Sequence, residues 1–592
     1  MRYRFSILFA TFLFLCGSAV AQSPKLIELG WDIPDTAYIR DHYRTMETTT
    51  PFDGILYELA QSIDGSRRSS QWIFDATAWN RDDFRSCIAD LRSCEFERFR
   101  ENFIRVNFSP ANIAWDDDAG WKILCEKIAL CAWVAKESGC TRGLAPDFES
   151  YGSEMFRWDP NSGRTFTESQ ELARQRGREW IAAVCSEYPD ATILALWLNS
   201  VNLAAGQSES PDAVLEVGHY GLLPAFINGM IDAASPEIIF VDGCESGYYM
   251  DGNEAYQRAS LDMIRWSGPA MRLIAPENRG KYRRQTRVGF GFYLDMYSNP
   301  EGATFYRAAH EGETRYDRMC ANLDAAIQAS DGYVWVYGEK YRWWSSSESS
   351  GYSPEPDSTL WQEFFPGISD RFWAIKNPNE AGRRALERLL QSGHAENLLQ
   401  NPEFTESTPD GTHPANWGDW QHENSHGTFG YEDSHAVTRG VSDGCFIQSV
   451  DVNPGERYAV LLEGRTEGRG TLSLTVRWQT ADGRWTREDC DRTFCVVPES
   501  EGAEISQRAS ELQAEVVEAT AAAEKASSAE KASSATESPA ESPESLKSFR
   551  RIAGYVHVPT DAGKLVLLLM SRRQETQADR NVFERSAVYR LP

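Results

Sequence analysis

Strand-like and helix-like segments alternate from about residue 25 to residue 395 of this 592-residue chain. Eight short runs rich in apolar and β-branched residues are typical of buried strands, and apolar residues at helical spacing separate most of them. The predicted strands are 25–33, 52–59, 102–108, 143–147, 192–198, 237–241, 287–294 and 333–337. The predicted helices are 120–138, 168–188, 222–234, 254–266 and 316–330.

This alternation limits the fold to a few α/β architectures. Eight strands with crossover helices predict a closed (β/α)8 TIM barrel over residues 25–395. An open doubly wound sheet is the alternative, but no predicted strand is followed by a Gly-x-Gly-x-x-Gly turn, and the chain has no P-loop. We therefore expect the barrel.

Acidic residues stand at or just after most of the predicted strand ends. Two acids, Asp147 and Glu149, stand near the end of the segment Thr141-Arg-Gly-Leu-Ala-Pro-Asp-Phe-Glu-Ser-Tyr151. If the strand ran through both, their side chains would lie on the same face. In a barrel the carboxyl ends of all strands meet on one face, where such proteins carry their sites. The acids that this arrangement brings together are Asp32, Glu58, Asp147, Glu149, Asp242, Glu245, Asp295 and Glu339.

A structural role is the alternative for the central pair, Asp147 and Glu149. One carboxylate would then cap the following turn, and the other would pair with an arginine such as Arg142 or Arg157. We favour a functional role, because the same layout recurs at other strand ends.

A second unit of different character occupies residues 397–592. Its short alternating runs, separated by Gly, Asn-Pro and Asp-Gly, predict an all-β jelly-roll sandwich with late strands at 552–558, 565–570 and near 587–589. A segment at about 499–547 interrupts it and contains a tandem Ala-Glu-Lys-Ala-Ser-Ser repeat. Because that segment has few large apolar residues, we expect a disordered or partly helical insertion.

Residues 1–21 have the layout of a secretory signal peptide. Arg2 and Arg4 precede an apolar run over 5–20, and Ala19-Val20-Ala21 offers a cleavage site between small residues. We therefore expect a secreted or periplasmic protein that begins near Gln22. No later run approaches the roughly 18 apolar residues that a membrane-spanning helix needs, so no membrane association is expected after cleavage.

Charge and composition narrow the class of partner. The formal net charge of −27 argues against nucleic acid, whose phosphates require a basic surface. An aromatic content of 12% suits a protein that stacks flat rings on sugars, although large cores use aromatic residues too. The nine histidines are scattered, so we expect no histidine-based metal centre.

Twelve cysteines less Cys16 of the predicted signal leave eleven, an odd number without the spacing of a zinc site. A few optional disulfides are the expectation for an oxidising compartment. The pairs spaced to close short loops are Cys87 with Cys94, Cys131 with Cys140, and Cys490 with Cys495.

The C-terminal unit resembles the carbohydrate-binding jelly rolls of the CBM4/9 (CenC-like) type. The features that carry the resemblance are the opening Asn397-Leu-Leu-Gln-Asn-Pro-Glu-Phe404, Trp417, the run Gly444-Cys-Phe-Ile-Gln-Ser-Val450 and the entry Pro454-Gly-Glu-Arg-Tyr-Ala459. The resemblance implies a sugar-binding or ancillary sandwich, and modules of this type often hold a structural calcium ion.

The N-terminal unit resembles glycoside-hydrolase barrels at the superfamily level, without a recognisable family. Asp147-Phe-Glu149 is similar to the end of the Asp-x-x-Asp-x-Asp-x-Glu strand of chitinase-type barrels, but Arg142 and Ala145 replace the earlier acids. The Asn-Glu pair of the large retaining-hydrolase clan is also missing. These departures leave the substrate and the stereochemistry open.

Glycosidic cleavage needs one protonated carboxyl and one ionised carboxylate. We expect Glu149 to be the general acid, tuned by Asp147, and its partner to come from Asp242 and Glu245. The predicted substrate is a polysaccharide or oligosaccharide, and no cofactor is expected. Further substrate-binding candidates are Trp31, Asp32, Glu58, Trp197, Asn199, Asp295, Tyr337, Glu339, Trp343 and Trp344.

Two other functions remain open from the sequence. A barrel that has lost its chemistry would serve as a carbohydrate-binding or adhesion protein. A polysaccharide lyase would need a basic residue and a proton acceptor near the acids, which only Lys340, Tyr341 and Arg342 beside Glu339 suggest.

Overall fold

A computed structural model of the chain describes residues 24–31, 33–109, 112–344, 359–392, 396–486, 490–495 and 548–592. Three predictions fall outside the described residues: the signal peptide at 1–21, the site residue Asp32 and the insertion at 499–547.

A parallel sheet forms the centre of the N-terminal part. Its order is β10-β11-β1-β2-β5-β6-β7-β8-β9, and a separate antiparallel hairpin consists of β3 and β4. These strands are β1 Lys25–Gly30, β2 Gly54–Tyr57, β3 Ala60–Ile63, β4 Ser66–Ser69, β5 Asn102–Asn107, β6 Thr141–Asp147, β7 Thr192–Ala195, β8 Ile239–Asp242, β9 Thr286–Val288, β10 Phe290–Tyr293 and β11 Tyr333–Gly338.

The two edge strands of this sheet are consecutive in the chain, so the sheet is nearly closed. Only Gly289 separates β9, which pairs with β8, from β10, which pairs with β11. The Gly289 N–H donates to the carbonyl of Asp242, and a Cβ atom at Gly289 would lie 2.8 Å from the carbonyl oxygen of Tyr333. A glycine is therefore needed where the chain passes from one edge to the other.

Helices follow most of the parallel strands and cover the sheet, because each helix buries an apolar stripe. They are α1 Thr36–Thr49, α2 Arg85–Arg92, α3 Asp118–Ser138, α4 Phe166–Glu187, α5 Leu203–Gln207, α6 Pro211–Val217, α7 Leu223–Ala233, α8 Gly252–Ile264, α9 Pro269–Arg272, α10 Arg279–Gln285, α11 Asp295–Ser298, α12 Arg315–Ala329, α13 Trp361–Phe364, α14 Ile368–Lys376 and α15 Pro378–Ser392.

The C-terminal part contains two five-stranded sheets, β12-β15-β20-β17-β18 and β13-β14-β21-β16-β19. Their inner faces meet through the rings of Phe446 and Phe583, 5.4 Å apart, and through a 2.8 Å hydrogen bond between the hydroxyls of Thr438 and Ser571. The strands are β12 Gly418–Gln421, β13 Thr428–Glu432, β14 His435–Arg439, β15 Asp443–Asp451, β16 Arg457–Glu467, β17 Thr471–Gln479, β18 Arg492–Cys495, β19 Ser548–His557, β20 Lys564–Arg572 and β21 Arg580–Arg590.

Helices α14 and α15 pack against the second of these sheets. Arg371 of α14 donates a hydrogen bond to the hydroxyl of Tyr555, and Gly382 of α15 lies against the backbone of Gly554. The N-terminal and C-terminal parts therefore share a packed interface.

Cys87, Cys94, Cys131 and Cys140 are free, so the two short-loop disulfides that the spacing allowed in the N-terminal part are not formed. The described helices include none with the length and apolar character needed to cross a bilayer.

Candidate active site

A cavity of about 320 Å³ opens at the carboxyl ends of the parallel strands. This volume is within the range of small-molecule sites. Its charged lining residues are Arg105, Glu149, Glu245 and Glu339, and most of the remainder are aromatic. The cavity thus collects carboxylates from the loops after β6, β8 and β11.

Asp147, the last residue of β6, is fully buried and fixes the turn that follows. One carboxylate oxygen accepts a 2.9 Å hydrogen bond from the Glu149 N–H, and the other accepts a 2.9 Å bond from Arg105 on β5. The strand ends before Glu149, so the two acids do not share a strand face as the sequence suggested. Asp147 instead has the capping and ion-pairing role of the structural alternative, with Arg105 as its partner.

The two arginines that sequence proximity suggested for this ion pair bind elsewhere. Arg142 pairs with Glu101, and Arg157 pairs with Glu154. Strand pairing explains the choice, because β5 and β6 are neighbours in register and bring Arg105 beside Asp147.

Glu149 projects into the cavity from the loop after β6. Burial raises the pKa of its carboxyl, the hydrogen bond donated by the Tyr151 hydroxyl opposes that rise, and the negative charges of Asp147 and Glu339 add to it. Desolvation and like charges both disfavour an ionised carboxylate, whereas a donor stabilises it.

Glu245 reaches the same cavity from the turn after β8. The turn passes through Cys244 in a left-handed conformation (φ 35°, ψ 71°), which is uncommon for a residue other than glycine. Burial, followed by the charges of Glu149 and Asp147, raises the pKa of Glu245 to about 9. Its carboxyl forms no hydrogen bond within the described part of the chain.

Glu339 stands at the cavity rim after β11 and is held by two phenols. Tyr337 donates to one carboxylate oxygen at 2.8 Å, and Tyr293 donates to the other at 3.0 Å. The indole N–H of Trp31 donates to the Tyr337 hydroxyl at 2.7 Å. Three aromatic side chains are therefore linked by hydrogen bonds to Glu339, two directly and Trp31 through Tyr337.

Asp242 and Asp295 support the loops that carry the cavity acids and do not line the cavity. Asp242 accepts hydrogen bonds from the N–H groups of Leu198 and Ser200, at 2.9 and 3.0 Å. Asp295 accepts from the Glu339 N–H at 2.8 Å, and burial raises its pKa to about 6. Both carboxylates are turned toward backbone donors.

Five other predicted site residues also lie outside the cavity lining. Glu58 is bound by Arg67 and Ser69 of the β3–β4 hairpin. The remaining four are buried beneath the surface, at 5% exposure or less: Trp197, Asn199, Trp343 and Trp344. Large aromatic residues after a strand fill the core more often than they face a ligand, which explains this outcome.

Several cavity residues were missed by the sequence reasoning. Trp31 and Tyr337 were predicted as site residues and do line the cavity. The lining also contains ten polar, charged or aromatic residues that were not predicted: Gln71, Trp72, Arg105, Asn107, Tyr151, Tyr248, Tyr249, Tyr293, Phe305 and Trp335. Arg105-Val-Asn107 at the end of a predicted strand was a usable signal, since a charged residue in a buried strand requires a partner.

The structural calcium that the C-terminal resemblance implied stays an expectation, because calcium is also bound by backbone carbonyl and Asn oxygens. No group of three or more His, Cys, Asp or Glu side chains within them is placed to hold a metal. At the start of the C-terminal part, Asn397 Oδ1 already accepts from the N–H groups of Leu399 and Val588.

No known family model matches the sequence, and no curated protein matches it significantly. Among solved structures, it is similar to the enzymatically active domain of tailspike protein 4 from bacteriophage CBA120, at 12% identity over 33% of this chain and 21% of that chain, with a TM-score of 0.19. It is also similar to a CBM4 module, at 14% identity over 32% of this chain and 99% of that module, with a TM-score of 0.19.

A third solved structure contains the CBM22-1 and GH10 modules of an endo-1,4-β-D-xylanase from Clostridium thermocellum in complex with xylohexaose, at 8% identity over 33% of this chain and 29% of that chain, with a TM-score of 0.18. Glycoside hydrolases and carbohydrate-binding modules are thus among the structural neighbours of this chain. At TM-scores of 0.18 to 0.19, this similarity supports no conclusion about function.

Proposed function

We propose that the chain is a secreted glycoside hydrolase that cleaves a polysaccharide or oligosaccharide. In this proposal the parallel sheet is a (β/α)8 barrel in which β9 and β10 are two parts of one strand. The observation that carries it is the pair Glu149 and Glu245, two carboxyls with raised pKa values in one aromatic-lined cavity. Glycosidic cleavage requires one carboxyl that stays protonated beside a second that is ionised, and the larger rise at Glu245 separates the two roles.

Glu245 is the proposed general acid. With a pKa of about 9, it holds a proton at neutral pH and is ready to donate it to the glycosidic oxygen as the bond to the leaving sugar breaks. This reverses the role expected from the sequence, where Glu149 was the acid. The pair is coupled, and the deeper desolvation of Glu245 favours it as the proton carrier.

Glu149 is the proposed ionised partner. The hydrogen bond from Tyr151 stabilises its charge, and the bond from its N–H to Asp147 fixes its position. It faces the positive charge that develops at the anomeric carbon. Analysis of the anomer first released by NMR will show whether it attacks that carbon directly or activates a water molecule.

Aromatic residues at the cavity mouth are the proposed sugar platforms. Trp31 and Trp72 are each 38% exposed, and Tyr249 is 61% exposed. Flat exposed rings beside carboxylates suit the apolar faces and hydroxyl groups of a sugar.

A polysaccharide lyase receives less support from the same cavity. Such an enzyme needs a cation to neutralise the substrate carboxylate, and the cationic lining residue, Arg105, already pairs with Asp147. Lys340, Tyr341 and Arg342 are not part of the described lining.

The C-terminal sandwich is the proposed carbohydrate-binding jelly roll. Trp420 on β12 and Trp485 are 50% and 48% exposed, as expected for rings that contact a glycan chain. Export is supported by the sequence of residues 1–21 alone.

The test is a screen of the purified mature protein against plant, algal and amino-sugar polysaccharides, with assays for new reducing ends and for unsaturated products. New reducing ends that disappear in Glu245→Gln support the hydrolase. Unsaturated products would identify a lyase, and binding without any product would identify a non-catalytic binding protein.

A further inference from the structure

The cavity has more negative charge than glycosidic chemistry requires. Its charged lining is three glutamates and one arginine, and the arginine forms a 2.9 Å ion pair with buried Asp147. With Glu245 as the general acid, Glu149 and Glu339 remain as two further acidic side chains, and Arg105 is the one basic side chain of the described lining. Anionic sugars such as uronates would be repelled from this site.

Glu339 is the acid that the proposed chemistry does not use. Both its oxygens accept hydrogen bonds from phenols, at 2.8 Å from Tyr337 and 3.0 Å from Tyr293, which fix the position of the carboxylate. Each carboxylate oxygen has a further lone pair available to a ligand. The carboxylate is therefore a preorganised acceptor on the wall of the cavity.

Aromatic rings surround this acceptor. Tyr293 and Tyr337 stack with centroids 5.4 Å apart, Phe305 meets Tyr293 edge-on at 5.4 Å, and Trp31 is bonded to Tyr337. The phenols contact Glu339 through their hydroxyl groups, and an ammonium group that reached the same carboxylate would form a charge-assisted hydrogen bond. A hydroxyl group would gain only the hydrogen bond.

We propose that the cavity selects a glycan containing unacetylated amino sugars, whose protonated amine binds to Glu339 between Tyr293, Tyr337 and Trp31. This inference rests on the proposed hydrolase function and names its substrate class. Two observations that do not involve Glu339 agree with this inference. The charge of Arg105 in the lining is balanced by Asp147, so it would not repel an amine. The chain as a whole has a net charge of −27, which attracts polycations.

The test measures binding in the Glu245→Gln background, where turnover is blocked. Glucosamine, galactosamine and mannosamine are compared by NMR titration at pH 6 with glucose, galactose and mannose, and with the three N-acetylated sugars. At least one amino sugar is expected to bind about tenfold more tightly than its neutral and acetylated counterparts. That preference should shrink in 0.5 M salt because ionic attraction is screened.

Glu339→Gln is the decisive variant, since it keeps the acceptor oxygen and removes the charge. It should reduce the preference to within about twofold, whereas Glu209→Gln, an exposed acid away from the cavity, should leave it unchanged. Equal binding of amino and neutral sugars, or a preference that survives Glu339→Gln, would overturn the inference.

A reducing-end assay on the wild-type chain separates this inference from the proposed function. Cleavage restricted to neutral or acetylated glycans would uphold the hydrolase and overturn the amino-sugar preference. A Glu339-dependent preference for amines without cleavage of any glycan would uphold the amine site and overturn the hydrolase.

Discussion

The hydroxyl group of Tyr151 links the two acids that follow β6: it donates a hydrogen bond to Glu149 and lies 3.2 Å from Oδ2 of Asp147. A phenol has one hydrogen to donate, so its bond to Glu149 is the one that stabilises charge on that residue. Tyr151 is therefore a positioning residue that connects a buried structural acid to a cavity acid.

Replacing Tyr151 by Phe is expected to raise the pKa of Glu149 further, because a donor to its ionised form is lost while burial persists. Activity depends on ionised Glu149, so the acidic limb of the pH profile should move to higher pH. At the pH optimum, kcat should fall by about tenfold. A loss of activity with no change in the pH profile would contradict the positioning role.

Glu245→Gln keeps the volume and hydrogen-bonding capacity of the side chain but removes the transferable proton. Turnover of an unactivated glycoside should fall by roughly 10²–10⁴-fold, while substrate binding is retained. A substrate with a good leaving group, such as a nitrophenyl glycoside, should be affected less because it needs little protonation. Full activity in a stably folded variant would assign the acid to another residue.

The stability of the fold should depend on pH through Glu245. Its folded pKa of about 9 exceeds the ordinary value of 4.5, so its contribution to stability is complete below pH 4.5 and is lost as the pH rises toward 9. Glu245→Gln removes this loss. The variant should therefore have a higher Tm than wild type at pH 8, and the difference should vanish at pH 4.5 in scanning calorimetry.

Other titrating groups are common to both proteins, so the difference between their Tm values isolates Glu245. The same Tm difference at both pH values would show that the Glu245 carboxyl is not held in its neutral form by the fold.

Asp242→Ala should destabilise the N-terminal part. The substitution leaves the buried N–H groups of Leu198 and Ser200 without their acceptor, at a cost of about 3 kcal/mol in the free energy of unfolding. Asp242→Asn keeps one acceptor oxygen and should lose less. Urea unfolding measures both, and a fully stable Asp242→Ala would show that these donors find other partners.

Gly382→Val tests the interface between the N-terminal and C-terminal parts. A Cβ atom at Gly382 would lie 2.4 Å from the carbonyl carbon of Gly554, which belongs to a paired strand. The variant should lose about 1–3 kcal/mol of stability. Gly280→Ala on α10 is the matched control, because its Cβ has only the end of the Arg284 side chain nearby, at 3.6 Å, and it should be neutral or stabilising. Equal melting behaviour of the two variants would contradict the tight contact.

The order and type of the elements follow from local pattern. The segment predicted at 102–108 is β5 Asn102–Asn107, the one at 192–198 is β7 Thr192–Ala195, and the helix predicted at 120–138 is α3 Asp118–Ser138. These agree because a buried strand must be apolar over its length and a covering helix must be apolar along one stripe, and neither requirement depends on distant residues. The predicted strand at 287–294 is divided into β9 and β10 at Gly289, where the chain changes partner.

The sequence by itself therefore determined the parallel α/β arrangement and the presence of acids at strand ends, whereas only the tertiary structure decided which acids enter the cavity. Asp147, Asp242 and Asp295 are short side chains buried against backbone N–H groups, and they hold the loops. Glu149 and Glu245, two and three residues after the first two of these aspartates, are carried past the strand ends into the cavity. Sequence spacing does not separate these roles, because the distinction depends on donors such as Arg105 that neighbouring strands bring within reach across the sheet.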